Sequence, residues 1–139
     1  MDLDILGDLN WLAVLVATIA YFALGGIWYA EGVFGKAWQR AGGIAVPEGT
    51  PGAKFYVIPF ITCFIATVAT AMIAVATGST EISEGIILGL VVGIGYAATL
   101  TLLGSVFENR PEPMTWFWIS ALYHIVGLVI VGIIVTQWT

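Results

Sequence analysis

His124 is the single histidine and Cys63 the single cysteine among 139 residues, and each sits inside a long uncharged run. Imidazole is the side chain whose ordinary pKa lies near neutrality, so a histidine at mid-membrane depth could pass protons or hold a polar solute. Tyr96, Tyr21 and Thr67 fall near the middle of the three other apolar runs. With His124 they could form a polar layer at one depth, a midplane site. The plainer expectation is a neutral His124, hydrogen-bonded to a tyrosine hydroxyl or a backbone carbonyl and gluing two helices together. Either arrangement needs His124 on the inward face of its helix.

Other chemistry is missing from the chain. There is no H-E-x-x-H, no C-x-x-C, no Walker loop and no G-x-S-x-G. Gly93-Ile94-Gly95 follows no strand, so a dinucleotide reading fails. Cys63 has no second cysteine to pair with. The expectation is a protein that is not an enzyme and takes no metal and no cofactor.

The elements that must hold these residues are set by charge. Residues 9–30, 55–80, 85–107 and 113–139 contain no Asp, Glu, Lys or Arg, and each run is 22 to 27 residues long. About 20 apolar residues cross a ~30 Å hydrocarbon layer as a helix. The composition agrees, being 60% hydrophobic and 9% charged, where soluble domains run at about 25% charged. The chain therefore reads as all-α, one integral membrane domain over 1–139, with spans at about 10–29, 55–77, 82–106 and 114–136.

Lys36, Arg40 and Lys54 lie between the first two spans and Arg110 between the last two, so all four basic residues fall on one side. Short Lys/Arg-rich loops stay in the cytoplasm. This predicts a cell-membrane protein with both termini extracytoplasmic. The acidic N-terminal segment is unlike the basic start of a secretory signal, so the first span is expected to be retained. The net charge of −5 argues against nucleic acid as a partner; the expected partner is the lipid bilayer.

Local signals refine the boundaries. Asp8 or Asn10 can cap the first span, and Trp11 and Trp28-Tyr29 sit where aromatic belts are expected. After it, Phe34 and Trp38 are four apart, as are Lys36 and Arg40. That spacing predicts a short cytoplasmic interfacial helix, rings in the headgroup boundary and cations toward lipid phosphates. Ala41–Gly52 reads as a flexible loop. Thr50-Pro51 can start the second span, which puts Pro59 inside a helix; a start near Ile58 leaves it at the edge. Thr80 can cap the third span, with Glu81 and Glu84 complementing its dipole. Pro111 and Pro113 end the last hairpin and start the fourth span. In that turn Glu108 and Arg110 can pair with each other, or Glu108 can reach Lys36 or Arg40.

Packing signals are strongest in the third span, where Gly85, Gly89, Gly93 and Ala97 recur every four residues. Small residues at this spacing let helices approach closely in a bilayer. Thr62, Ala66, Thr70 and Ala74 repeat the pattern in the second span, as do Ala13, Ala17 and Gly25 in the first. Such stripes can pack the bundle itself or form the seam of a homo-oligomer.

Three segments also carry a family resemblance: Asn10-Trp11-Leu12-Ala13; Trp28-Tyr29 with Phe34-Gly35-Lys36-Ala37-Trp38; and Phe107-Glu108-Asn109-Arg110-Pro111. Their order and spacing resemble the prokaryotic membrane family called Domain of Unknown Function 1761. Ala30-Glu31 stands where members often have Ser-Pro. The resemblance implies a small multi-pass membrane protein and supplies no activity. Two functional expectations remain: a self-associating or accessory subunit packed through small-residue faces, or a small oligomeric permease or channel with a midplane site around His124 and Tyr96.

Overall fold

The computed structural model describes residues 2–45, 49 and 51–138, and among these there are helices and no strand. After a 3-10 turn, Leu3–Gly7, come α1 (Trp11–Trp28), a π-type turn (Glu31–Gly35) running into α2 (Lys36–Gly42), and α3 (Lys54–Thr77). The third apolar run forms α4 (Ile82–Val92), a π turn (Gly93–Ala98) and α5 (Thr99–Phe107) in one continuous rod, followed by α6 (Pro113–Gln137). Four helical segments are long and apolar enough to span a bilayer. The molecule is an all-helical membrane protein.

Helix ends follow local chemistry. Asn10 takes the cap of α1, its side-chain oxygen accepting from the N–H groups of Leu12 and Ala13 at 3.1 Å each. The α4 cap is Glu81 rather than Thr80. Glu84 reaches back to accept from Glu81 N at 3.0 Å and Thr80 N at 2.7 Å, closing a reciprocal capping box. Thr80 thus serves as a donor held by the box. Gly78 ends α3 in the left-handed conformation (φ 66°), with Ser79 N donating to the Ala74 carbonyl. Pro113 opens α6 at a position where a missing N–H costs nothing.

The start of α3 lies close to the expected span of about 55–77 and between the two possible starts at Thr50-Pro51 and Ile58. The helix begins at Lys54, so Pro59 lies inside it and Pro51 precedes it; Thr50 is outside the described residues. With no N–H, Pro59 leaves the Phe55 carbonyl without its intrahelical donor. No residue of α3 before Cys63 is buried, and from there the buried positions run Cys63, Thr67, Thr70, Ala71 and Ala74. α3 therefore joins the bundle from about Phe60 onward, where Phe60 packs on Phe22 of α1 at 5.5 Å.

α6 is the hub. Half of its most apolar window is buried, against 22–28% in the other three spans. α1, α2, α3 and the α4–α5 rod all pack on it. Outward-facing Leu15, Ile19, Ile65, Ile87 and Leu100 are exposed, as a hydrocarbon surround requires. The starts of α1 and α4 and the end of α6 meet at one end of the bundle, where Asn10 Nδ2 donates to the Trp138 carbonyl at 2.8 Å and Gln137 Nε2 to the Thr80 carbonyl at 2.8 Å.

Gly85 and Gly89 lie against α6 of the same chain. A Cβ on Gly85 would stand 2.5 Å from Thr136 Oγ1, and one on Gly89 2.5 Å from the Leu128 carbonyl oxygen. Gly93 continues the contact against Ile125. Ala97 does not. The π turn makes the next buried step five residues long, so Ala98, and then Ser105, occupy the α6-facing line while Ala97 is half-buried. A fourfold repeat assumes a regular helix, and the wider turn breaks it.

Candidate functional site

Among the midplane residues expected from sequence, the fold unites two. The Tyr21 hydroxyl of α1 lies 2.6 Å from His124 Nδ1 of α6. Beside them Tyr123, also on α6, points its hydroxyl at the Tyr21 carbonyl oxygen and donates at 3.2 Å. That commits the single hydroxyl hydrogen of Tyr123, so the buried Cys63 thiol, 3.7 Å away, is the donor of the pair they form. Three helices are thereby linked by α3 thiol, α6 phenol and α1 carbonyl.

Small residues make room for this cluster. Gly127, one turn beyond Tyr123, lies under the Tyr21 ring, which any Cβ would strike. Gly25, one turn beyond Tyr21, faces Tyr123, whose hydroxyl would be 2.9 Å from an added Cβ. The rings then pack edge to face or tilted: Tyr21 and Tyr123 centroids are 5.3 Å apart, Tyr29 and Tyr123 5.2 Å, and Tyr123 and His124 4.8 Å. Such pairs add about 0.5–1.5 kcal/mol each beyond their buried area.

The two other midplane candidates stay apart. Tyr96 is 66% exposed on the outer face of the rod, although neighbouring Gly93 faces Ile125. The π turn carries the Tyr96 side chain away from α6, so the expected pairing with His124 does not form. Thr67 is fully buried on α3, but its hydroxyl has no hydrogen-bond partner among the described residues. It is a core residue outside the Tyr21–His124 pair.

Toward the α2 end the cluster continues as an aromatic wall. Trp28 Nε1 donates to the Ile119 carbonyl at 3.0 Å, and Trp38 Nε1 donates to Ser120 Oγ at 3.1 Å. Trp38 also packs on Tyr29 at 4.8 Å, and Phe34 on Trp28 at 4.9 Å. The helix after the first span is thus clamped to α6 by its aromatic edge. The Trp38 N–H is thus satisfied by a polar acceptor on α6. Phe34 stays partly exposed and Lys36 faces outward.

Arg40 pairs with Glu112 (Nε to Oε2, 2.9 Å) while its side chain stays largely exposed. Glu108 pairs with Arg110 and with neither Lys36 nor Arg40. Arg110 also donates to the Gly42 carbonyl at 3.1 Å and stacks over Trp116 at 3.7 Å. With Glu112 N donating to the Ala41 carbonyl at 3.0 Å, these contacts tie α2 to the α5–α6 turn.

Sequence reasoning missed Tyr123, the partner that connects Cys63 to Tyr21. A usable signal was present: Gly25 and Gly127 each follow a tyrosine by four residues, the spacing that opens a slot beside a large ring. The cluster spends its polar atoms on its own members. Two depressions among the described residues lie elsewhere, near Asp8, Asn10 and Val75. Among those residues no group of three metal-ligating side chains comes together.

A family model described as protein of unknown function (DUF1761) matches residues 12–136. No curated protein and no solved structure matches the chain.

Proposed function

Since the chain belongs to the DUF1761 family, whose description carries no activity, we propose from its architecture that it is an accessory subunit of the cell membrane, without enzymatic activity, that works by association. The observation that carries this reading is the closed centre. Ala13, Ala17, Thr18, Thr67, Thr70, Ala71 and Ala74 line the meeting of the helices, and all are buried. Small side chains in close contact favour a tightly packed, dry centre among the described residues. A permease path through His124 loses support because Tyr96 faces outward and Tyr21 already occupies Nδ1. Coupled transporters also place several ionisable groups in their spans, and this chain places one, His124, at depth.

For orientation, Lys36, Arg40, Lys54 and Arg110 all lie at the α2 end, away from the termini. The positive-inside rule puts that end in the cytoplasm and both termini outside.

Purified protein in liposomes loaded with a pH-sensitive dye tests the reading. The expected result is proton leakage equal to that of protein-free liposomes, together with stoichiometric co-purification of a membrane partner or a second copy from native membrane. Leakage that His124→Phe removes would establish the permease instead.

A further inference from the structure

Four oxidisable rings run in unbroken contact from the middle of the first span to the α2 end. Tyr21 and Tyr123 centroids are 5.3 Å apart, Tyr123 and Tyr29 5.2 Å, and Tyr29 and Trp38 4.8 Å. Trp38, at one end of the line, is half-buried on α2. Tyr21, at the other, is buried in the core and lies about 15 Å along α1 from Trp11. Phenol and indole give up a single electron more readily than other aromatic side chains. Rings in van der Waals contact pass that electron on without moving.

What sets Tyr21 apart is its partner. A phenol stripped of one electron becomes strongly acidic at its hydroxyl, and it stays oxidised only where a base within hydrogen-bond reach takes the proton. The Tyr21 hydroxyl has one hydrogen and, among the described residues, one partner, His124 Nδ1 at 2.6 Å. A bond running from imidazole to phenol would leave that hydrogen buried without an acceptor. The hydroxyl therefore donates, and the imidazole carries its own hydrogen on Nε2. Tyr123 has no such base, because its hydrogen goes to the Tyr21 carbonyl, a weak one. Tyr123 can relay a missing electron but cannot keep it. Tyr21 can.

We infer that Tyr21 and His124 form a reversible one-electron store inside the membrane, filled and emptied through the ring line that ends at Trp38. The oxidant is an organic peroxyl radical, the class that lipid oxidation produces, arriving at the α2 end. It takes one electron from the Trp38 indole and one proton from the aqueous interface, and leaves as a hydroperoxide. Tyr29, Tyr123 and Tyr21 refill the gap in turn. The Tyr21 hydroxyl hydrogen then moves as a proton to Nδ1, leaving a neutral phenoxyl radical beside an imidazolium. A thiolate at the same end returns an electron along the rings and departs as a thiyl radical, and the proton goes back to Tyr21. Charge at this depth is costly, so the imidazolium favours that return.

This activity goes beyond the accessory reading and does not depend on it. Its test uses the full chain in nanodiscs, with Tyr56→Phe and Tyr96→Phe so that no exposed tyrosine competes. Flash oxidation with ruthenium tris-bipyridine and persulfate, followed by freezing and electron paramagnetic resonance, should give a tyrosyl radical. Tyr21→Phe should abolish it, and His124→Phe should lower its yield about tenfold or more, as loss of a positioned base does. Trp38→Phe should slow its appearance. In the chain that keeps His124, heavy water should slow the rise as well, because a proton moves with the electron; this reading needs no variant in the core. An equal signal from Tyr21→Phe, full yield from His124→Phe, or a rise unchanged in heavy water overturns the inference.

Discussion

The two halves of the third span both turn large side chains outward, Ile87 and Val91 in the first and Leu100, Leu103 and Phe107 in the second. They differ in how they meet α6: Gly85 and Gly89 of Ile82–Val92 lie so close to it that a Cβ has no room, whereas Thr99–Phe107 buries only Ser105. Between them stands one wide turn, Gly93–Ala98. A residue inserted into a helix rotates the remainder of that helix by about 100°, enough to carry a side chain from a protein contact to lipid. In a bilayer the two surroundings are equally apolar, so hydropathy registers no difference between the halves. Shape does.

Breaking the turn should have the largest effect. Deleting Gly95 restores a regular helix and turns Ala98 and Ser105 away from α6. The expected outcome is loss of α5–α6 packing, read as new reactivity of a Ser105→Cys thiol that is protected in the intact rod. Next comes Gly89→Leu. Its side chain meets α6 backbone of the same chain at 2.5 Å, so the variant should lose about 3 kcal/mol of stability, measured by unfolding in mixed detergent.

Smaller effects sharpen the contrast. His124→Phe removes the hydrogen-bond partner of the Tyr21 hydroxyl and should cost about 1–2 kcal/mol, again by detergent unfolding, with helicity by circular dichroism unchanged. Leu100→Ala, on the second half, should alter monomer stability by no more than about 0.5 kcal/mol; a loss comparable to that of Gly89→Leu would erase the distinction between the halves. Smallest is the Arg40–Glu112 pair, 66% and 44% exposed. A double-mutant cycle should return about 0.5 kcal/mol or less, falling with added salt.

Much of the fold is legible in local sequence. Asn10 reads as a cap because a short amide beside free N–H groups needs no distant partner, and Pro113 reads as a helix start for the same kind of reason. Gly85 and Gly89 read as a close-packing line. What stays hidden is the choice of partner. Nothing local to Trp38 announces that Ser120 of α6 accepts its N–H, and nothing local to Arg40 announces Glu112 beside it. Tyr123 is invisible as a connector because Cys63, Tyr21 and Tyr29, among its neighbours, come from beyond its own helix.

Sequence by itself determined four membrane-length helices, the end where the basic residues gather and the presence of one deep ionisable group. These depend on length, charge and the cost of placing charge in hydrocarbon, all of which are properties of a segment alone. Only the tertiary structure decided that His124 meets Tyr21 and that Tyr96 does not join them. Both outcomes hang on the rotation of helices about their axes. That rotation is set by which small residues lie together and by a single wide turn in the rod, and it leaves no trace in the hydropathy of either segment.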